Sequence, residues 1–368
     1  MVHSFRVSKL NGDRSFTCKF NDRLNILTGK NGSGKTTILK MLWYMVSPNL
    51  ERLTEILFDS ATINTDAFSL TVSCSNQKIV SIHFKNLHHP DITFDFEQEK
   101  EFNPFSSIHD PVETVNRLIQ DTDTCSLFFP TFRRIEGGFS LDTRRYEDIG
   151  ERRATSFQQA VSRYADRISV NNHLFVSSVS TEDIDSLIRN KAYDLSAQTD
   201  KLHIALSKFI QEAIAKQGKT HERSAALIQQ IKERVLQAEK KRRTIMTPIT
   251  ILSNLICSIF KDKGIIFSPT LTLGDPAHAL LSRNLSAGEK QMLSFLCYNT
   301  FFDNAPIFID EPELSLHVDW QRSLFRYLLD QKSNNQFIVS THSPFIYAKY
   351  PECEIILDED RGDSGDCR

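Results

Sequence analysis

Alternating apolar and polar positions open the chain and predict a β-hairpin. Residues 5–10 and 16–20 alternate on either side of Asn11-Gly12-Asp13, a sequence typical of a tight turn. Residues 24–28 form a short, continuously apolar run, which is typical of a buried strand. From 36 to 46 the apolar positions follow a helical period instead. The pattern therefore predicts three strands and then a helix at the start of the chain.

Short β-like runs follow and predict a second group of strands. Residues 68–74, 79–84 and 92–96 are rich in β-branched and aromatic side chains. They favour an antiparallel sheet beside the first elements. A further buried strand is expected over 126–132, and it ends in two arginines at 133–134.

Between 157 and 260 the apolar pattern becomes helical. Apolar residues recur at spacings of three, four and seven from Ile184 to Ala213, and a second stripe runs from Leu227 to Ala238. The segment 217–220, which contains a glycine, interrupts them. A first helix of about 33 residues would reach roughly 50 Å at about 1.5 Å per residue. This pattern predicts a helical hairpin inserted into the fold, either as a projecting arm or as ordinary core packing.

The last hundred residues return to strands that alternate with helices. Strands are expected at 269–273, 307–309, 336–340 and 354–357, with a helix from Ser286 to about 302. Alternation of strand, loop and helix predicts an α/β fold. We expect residues 1–150 and 263–368 to be the two parts of one domain, with a helical insertion at 151–262.

Composition narrows the class of protein. The 368 residues include 44 Lys and Arg against 46 Asp and Glu, a net charge of −2, so the chain has no overall excess of positive charge for nucleic acid. The seven cysteines include no Cys-x-x-Cys pair, which favours reduced thiols over disulfides or a zinc site. The longest apolar stretch, 249–260, is too short to span a bilayer and contains polar residues. We expect a cytoplasmic protein without a membrane partner.

One segment has the spacing of a phosphate-binding loop. Residues 29–36, Gly-Lys-Asn-Gly-Ser-Gly-Lys-Thr, fit the pattern G-x-x-x-x-G-K-[ST] between a predicted strand and a predicted helix. Glycines let backbone N–H groups surround a polyphosphate, Lys35 would neutralise the β- and γ-phosphates, and the Thr36 hydroxyl would hold Mg²⁺. The expected cofactors are ATP and Mg²⁺. The candidate nucleotide-binding residues here are Asn31, Gly32, Ser33, Gly34, Lys35, Thr36 and Thr37.

Acidic and imidazole side chains follow two later strands. Asp310 ends an apolar strand, where its carboxylate can reach Mg²⁺, and Glu311 can polarise the attacking water. His342 lies just beyond another strand, where its imidazole can contact the γ-phosphate. The candidate catalytic residues are Glu311, His342 and Lys35, and the candidate metal ligands are Thr36 and Asp310.

The order of these motifs resembles the ABC-type ATPase superfamily. The phosphate loop is followed by Leu-Ser-Ala-Gly-Glu at 285–289, Asp-Glu-Pro at 310–312 and Ser-Thr-His-Ser-Pro at 340–344. Within the superfamily the motifs are similar to OLD-like ATPases, RecF, SMC-type heads and the ATPases of Septu-like phage-defence systems. The resemblance implies an ABC-type ATPase head, an α/β fold with a mixed central sheet, a flanking antiparallel sheet and the inserted helical hairpin.

The same resemblance implies a site shared between two subunits. Ser286 and Gly288 of one subunit would contact the γ-phosphate that is held by Lys35 of the other. Hydrolysis would then require a homodimer, or a higher oligomer built from dimers.

The partners remain open at this stage. Residues 216–243 contain nine Lys and Arg against three Glu, so this part of the hairpin could contact DNA, bind an acidic partner or simply be a solvated helix. No nuclease motif is visible. The resemblance favours an ATP-gated dimer that controls a separate effector protein in anti-phage defence, and the expected effector is a nuclease. The alternatives are a RecF-like DNA-repair ATPase that acts directly on DNA and, disfavoured by the long segment between Lys35 and Ser286, the ATP-binding subunit of a membrane transporter.

Overall fold

The computed structural model describes residues 1–86, 91–96, 110–131, 134–135, 163–179, 181–215, 221–260 and 285–358. The chain divides into two compact units, one formed by 1–179 with 302–368 and the other by 180–301. Several sequence-based predictions lie outside the described residues: the strand at 269–273, Arg133, Lys216 and Lys219.

The strands are, in chain order, β1 Val2–Leu10, β2 Arg14–Lys19, β3 Leu24–Thr28, β4 Ser60–Thr65, β5 Phe68–Ser75, β6 Lys78–Asn86, β7 Ile92–Asp95, β8 Ser126–Phe129, β9 Arg134–Ile135, β10 His173–Phe175, β11 Ser178–Val179, β12 Pro306–Asp310, β13 Gln336–Ser340 and β14 Glu354–Ile356. The helices are α1 Lys35–Val46, α2 Pro111–Gln120, α3 Thr181–Ala215, α4 His221–Ile259, α5 Ala287–Phe301, α6 Val318–Asp330 and α7 Pro344–Tyr347.

The first unit contains an antiparallel sheet in the order β2-β1-β4-β5-β6-β7. The predicted hairpin is confirmed, since β1 pairs antiparallel with β2 and Asn11 and Gly12 have positive φ in the turn. The antiparallel arrangement of β5, β6 and β7 is also confirmed. The sequence analysis missed β4, whose residues Ser60–Thr65 alternate between buried and half-buried positions. This strand joins the hairpin to the rest of the sheet.

A parallel sheet in the order β10-β8-β12-β13-β3-β14 forms the other layer of this unit. Every pairing among its described strands is parallel, so the antiparallel pairs lie in a sheet of their own and the expected mixture within one sheet is not seen in this part of the chain. The α/β class with both kinds of sheet is confirmed. Because the carboxyl ends of parallel strands meet at one edge, β3, β8, β12 and β13 direct the segments that follow them to the same place.

Helix α1 lies between the two sheets. Its residues Leu39, Leu42 and Trp43 are fully buried in one apolar cluster with side chains of both sheets, among them Leu70 and Phe308. Burial of large apolar side chains on both faces of a helix stabilises its position strongly. The packing therefore fixes the start of α1 at the carboxyl edge of the parallel sheet.

The predicted helical pattern over 157–260 is confirmed at 163–168, which are helical, and is wrong at 173–179, which contain two short strands. Strand β10 pairs in parallel with β8 and extends the parallel sheet, whereas β11 pairs with β9 in a separate two-stranded sheet of the first unit. These strands have three and two residues, too few to show an alternating pattern in the sequence.

The second unit contains α3, α4 and α5. The two long helices expected from the apolar stripes are present, with 35 residues in α3 and 39 in α4, and they pack against each other. Helix α5 packs on both. The unit therefore starts and ends later than the predicted insertion at 151–262, because β10 and β11 pair within the first unit and α5 packs in the second. No helix in the described ranges is both long and apolar enough to cross a membrane.

Candidate functional site

The phosphate-binding loop connects β3 to α1, as the spacing predicts. Residues Gly29, Gly32 and Gly34 have φ of 148°, 79° and 93°, values that L side chains rarely adopt. A Cβ atom at Gly29 would lie 2.9 Å from Ser33 Oγ. Asn31 and Gly32 are exposed at the tip, whereas Ser33 is buried. The loop can take this shape because its tightest position carries no side chain.

The side chain of Lys35 folds back over this loop. Its ammonium donates hydrogen bonds to the carbonyl of Gly29 at 2.7 Å and to the carbonyl of Lys30 at 3.0 Å, with Ser33 Oγ at 3.5 Å. Burial lowers the pKa of Lys35, and the nearby carboxylates of Glu311, Asp310 and Glu313 act in the opposite direction. A buried cation held over a glycine-rich loop fits an anionic ligand such as a polyphosphate.

The N-terminus of α1 also fits a phosphate. Gly34 is the N-cap residue, and no side chain caps the helix. The first N–H groups of a helix have no partner within the helix, and the helix dipole places partial positive charge there. Thr36 and Thr37, both half-buried, lie in this first turn. The loop, the lysine and the helix terminus together match the requirements of the expected nucleotide.

Asp310 connects four elements at the carboxyl edge of the parallel sheet. It ends β12, is 1% exposed, and accepts hydrogen bonds of 3.0 Å from Thr36 Oγ1 to both of its carboxylate oxygens. The hydroxyls of Thr131, after β8, and Ser340, at the end of β13, also donate to this carboxylate. The sequence analysis identified Thr36 and Asp310 but missed Thr131 and Ser340. Their positions just after or at the ends of two predicted strands were the available signal.

A hydroxyl and a carboxylate in contact are suitable ligands for Mg²⁺, which usually keeps several waters and takes one or two protein oxygens. Thr36 and Asp310 provide this pair. Within the described ranges there is no cluster of three His, Cys, Asp or Glu side chains that could hold a metal ion. The donor set therefore fits Mg²⁺ bound together with phosphate oxygens.

Glu311 and His342 follow neighbouring parallel strands. The Glu311 N–H donates to the carbonyl of Ser340 at 2.9 Å, and its φ of 49° is left-handed, which is uncommon for glutamate. The His342 N–H donates to Glu313 Oε1 at 2.8 Å. Both side chains are half-buried. Glu311 therefore begins a sharp turn beside the segment that carries His342, and that segment follows β13.

Ser286 and Gly288 lie in the second unit, at the start of α5. The Ser286 N–H donates to Glu289 Oε2 at 2.7 Å, and the Glu289 N–H donates to Ser286 Oγ at 3.3 Å. This reciprocal pair is a capping box, which satisfies two backbone donors at a helix N-terminus. Ser286 is exposed and Gly288 is buried. The predicted Ser-x-Gly turn is thus a helix cap in its own unit.

A family model described as an AAA domain, putative AbiEii toxin, Type IV TA system, matches residues 24–348. The endonuclease GajA of Bacillus cereus (strain VD045) is 40% identical over 63 residues, which cover 16% of this chain and only 11% of the length of GajA.

Two solved structures of SMC heads are also similar to this chain. One is an Smc head domain with an extended coiled coil bound to the C-terminal domain of ScpA, derived from Pyrococcus furiosus. It is 13% identical, with a TM-score of 0.42, over 94% of this chain and 91% of that one. The other, SmcHead bound to the C-winged helix domain of ScpA, is 11% identical with the same TM-score and coverage.

The family match begins at β3 and continues past His342, so it includes the phosphate loop, Asp310 and both segments that follow β12 and β13. It confirms the resemblance to ATPases that the motifs indicated. The chain therefore belongs to the family of AAA domains described as putative AbiEii toxin, Type IV TA system, and is an ATPase of the AAA and ABC class.

Proposed function

We propose that this chain binds ATP with Mg²⁺, hydrolyses it in a dimer of two copies, and thereby controls a separate effector, a nuclease, in defence against phage. The contact between Thr36 and Asp310 is the observation that best supports the binding of ATP with Mg²⁺. It places a hydroxyl at the start of α1 against a carboxylate at the end of β12, beside the Lys35 ammonium. This is the arrangement that phosphoryl transfer requires of the protein.

Each residue then has a distinct role. Lys35 and the uncapped N-terminus of α1 bind the phosphates, and Thr36 and Asp310 hold Mg²⁺, which when bound neutralises phosphate charge. Glu311 accepts a hydrogen bond, and then a proton, from the attacking water while the terminal phosphorus–oxygen bond breaks and ADP leaves. His342 donates a hydrogen bond to the terminal phosphate. These roles use side chains that follow adjacent parallel strands.

The proposal also includes a dimer in which each ATP site is formed by two copies of the chain. Ser286 and Gly288 of one copy would complete the site that contains Lys35 of the other, as the resemblance to ABC-type ATPases implies. The exposure of Ser286 at the N-terminus of α5 supports this role, since a helix N-terminus attracts anions.

Control of a nuclease rests on similarity. The segment shared with GajA is 40% identical, and GajA is an endonuclease. The match spans only 11% of GajA, and the proposal places the nuclease activity in a separate partner.

The hydrolytic role is tested with two variants and matched controls. Lys35→Ala should abolish ATP binding, whereas Glu311→Gln should bind ATP, lose hydrolysis and accumulate as a dimer in size-exclusion chromatography. The exposed residues Lys40 and Glu352 provide the controls Lys40→Ala and Glu352→Gln, which should behave as the wild type. Hydrolysis by Glu311→Gln at the wild-type rate would show that another group activates the water.

The shared site is tested by mixing subunits. Lys35→Ala and Ser286→Arg each inactivate both sites of their own homodimer. A mixed dimer retains one site with an intact Lys35 and Ser286, so part of the ATPase activity should return. Confirmed mixed dimers without activity would contradict sharing.

A RecF-like ATPase that acts directly on DNA is the second candidate. The observation in its favour is that Lys240, Lys241, Arg242 and Arg243 are all exposed on α4. Four adjacent cations on one helix can bind a phosphate backbone. Stimulation of ATP hydrolysis by DNA in the absence of other proteins would favour this function over control of an effector.

A further inference from the structure

The segments that carry Glu311 and His342 are joined by a side chain that the proposed chemistry does not use. The carboxylate of Glu313 accepts a hydrogen bond from Thr341 Oγ1 to Oε2 at 2.8 Å and one from the His342 N–H to Oε1 at 2.8 Å. Both oxygens of one carboxylate are therefore directed at adjacent residues of the other segment. Charged acceptors make stronger hydrogen bonds than neutral ones.

A second side chain strengthens the same connection. Gln321, in α6, donates from Nε2 to the carbonyl of Leu316 at 2.9 Å and accepts at Oε1 from Ser343 Oγ at 2.7 Å. The Ser343 N–H in turn donates to Thr341 Oγ1 at 3.0 Å. The loop after β12 and the loop after β13 thus form one hydrogen-bonded network. Such networks rigidify a site when their members are satisfied.

The backbone after β12 is tightly turned, which allows Glu313 to contact Thr341 and His342. Glu311 and Ser315 have φ of 49° and 69°, and the Leu314 and Leu316 N–H groups bond to the carbonyls of Glu311 and Glu313 at 3.3 and 3.0 Å. Two consecutive tight turns therefore follow β12. They orient the Glu313 side chain towards the segment after β13. Non-glycine residues in the left-handed region cost free energy and persist when the surroundings hold them.

We infer that Glu313 is a positioning residue for ATP hydrolysis, which holds the His342 backbone in a fixed place relative to Glu311. This inference rests on the proposed function. Glu313 acts through the two segments and is not assigned a contact with the nucleotide. Its loss should therefore affect the chemical step more than nucleotide binding.

The test compares three substitutions of glutamate residues in the 368-residue chain. Glu313→Ala should lower kcat by about 100-fold, the size of effect that misplaced catalytic groups produce. The KM for ATP and the affinity for a fluorescent ATP analogue should stay close to the wild-type values. Glu313→Gln should recover most of kcat, since the amide oxygen accepts from the His342 N–H and the amide nitrogen donates to Thr341 Oγ1. Glu352→Ala, at an exposed position, is the control for removal of a glutamate.

Thr341→Val provides a second measurement if Glu313→Ala proves unstable. Valine has the shape of the buried Thr341 but cannot donate to Glu313, so kcat should fall while the charge at 313 remains. Thr341→Val also removes the acceptor of the Ser343 N–H. The double variant should therefore be slower than Glu313→Ala by less than the full effect of Thr341→Val, because the contact between Glu313 and Thr341 is common to both changes.

Several outcomes would overturn the inference. Glu313→Gln as slow as Glu313→Ala would assign the effect to the charge near Lys35, and a large loss of ATP affinity in Glu313→Ala would assign it to nucleotide binding. Additive effects of the two single variants would contradict a shared contact. Wild-type protein without ATPase activity would overturn the proposed function and this inference together, whereas an active wild type with an equally active Glu313→Ala overturns this inference alone.

Discussion

Gly29 is the residue at which backbone geometry most directly controls the proposed nucleotide site. Its φ is 148°, and a Cβ atom there would lie 2.9 Å from Ser33 Oγ. Gly29→Ala should lower the affinity for ATP by about 5- to 150-fold, because strain of about 1–3 kcal/mol at such a position is relieved only by moving the loop. Titration with a fluorescent ATP analogue measures the change.

The matched control for Gly29 is Gly12, in the turn between β1 and β2. It also has a positive φ, of 110°, but an added Cβ atom meets nothing within 4 Å. Gly12→Ala should therefore lower the free energy of unfolding through backbone strain and leave the affinity for ATP unchanged. Equal losses of affinity in both variants would show that the effect comes from global destabilisation.

His173 makes the stability of the parallel sheet depend on pH. Its imidazole is 1% exposed, with Nδ1 at 2.8 Å from Ser126 Oγ, and burial lowers its pKa to about 4 from 6.5. The unfolded chain binds this proton more readily, so the contribution is fully present above pH 6.5 and is lost as the pH falls towards 4. The loss is on the order of 3 kcal/mol.

Urea unfolding at pH 7.5 and pH 5 checks the contribution of His173. His173→Gln should be less stable than the wild type at pH 7.5 but should lose less stability between the two pH values. Thr17→Gln, a change between neutral side chains at an exposed position on β2, should keep the wild-type pH dependence. A dependence that is the same in all three proteins would contradict this prediction.

At the scale of elements, Ser286 has an observed role as the N-cap of α5 and a proposed role in contacting the γ-phosphate. Two substitutions separate these roles. Ser286→Ala removes the cap and should lower the free energy of unfolding by about 1 kcal/mol. Ser286→Asp keeps a good N-cap but places negative charge where the proposal puts a phosphate. It should therefore retain the stability and lose ATP hydrolysis, as measured by urea unfolding and phosphate release.

Asp110 provides the control for a lost cap. Its side chain caps α2 by accepting from the Val112 N–H at 3.0 Å, and α2 carries no predicted site residue. Asp110→Ala should lower stability while ATP hydrolysis continues. Wild-type hydrolysis by Ser286→Asp would mean that Ser286 is a helix cap alone.

At the scale of the whole molecule, a charge-reversal variant of the exposed residues 240–243 tests whether the protein binds DNA directly or controls an effector. Replacing all four cations by Glu changes the local charge from +4 to −4. If the run binds DNA, affinity should fall, and the slope of log K against log salt should shrink by about 0.9 for each phosphate that is no longer neutralised. ATP hydrolysis should survive. Fluorescence anisotropy with labelled DNA at several salt concentrations measures both quantities.

The control for this variant uses two exposed lysines of α3, Lys201 and Lys208, replaced by Glu. This change should reduce DNA binding less than the change at 240–243. Unchanged affinity and salt slope in the first variant would exclude the run as a DNA site. Loss of a co-purifying nuclease in the same variant would favour the proposed effector.

Local sequence predicted the strand, the glycine-rich loop at 29–36 and the helix that follows, because their determinants are local. The predicted bounds of β3 agree with the structure at both ends, and those of α1 differ by one residue at its start. A buried apolar strand, glycines with positive φ and a helix that follows are properties of consecutive residues. The same reasoning placed Asp310 at the end of β12.

Contacts between distant residues escaped the sequence analysis for a common physical reason. Thr131 and Ser340 meet at Asp310, and Glu313 meets Thr341 and His342, only because parallel strands from distant parts of the chain end at one edge. Short strands such as β10 gain their hydrogen bonds from a neighbour in the sheet and carry no periodic signal of their own.

The sequence by itself determined most of the elements, though not β4, β10 or β11, and indicated the candidate phosphate-binding and acidic residues, because propensity, glycine geometry and motif spacing act along the chain. Only the tertiary structure decided which side chains surround Asp310, which segments Glu313 joins and that Ser286 caps α5. Those outcomes depend on strand order and on packing in three dimensions, since hydrogen bonds between sequence-distant groups form only where the sheet brings their backbones together.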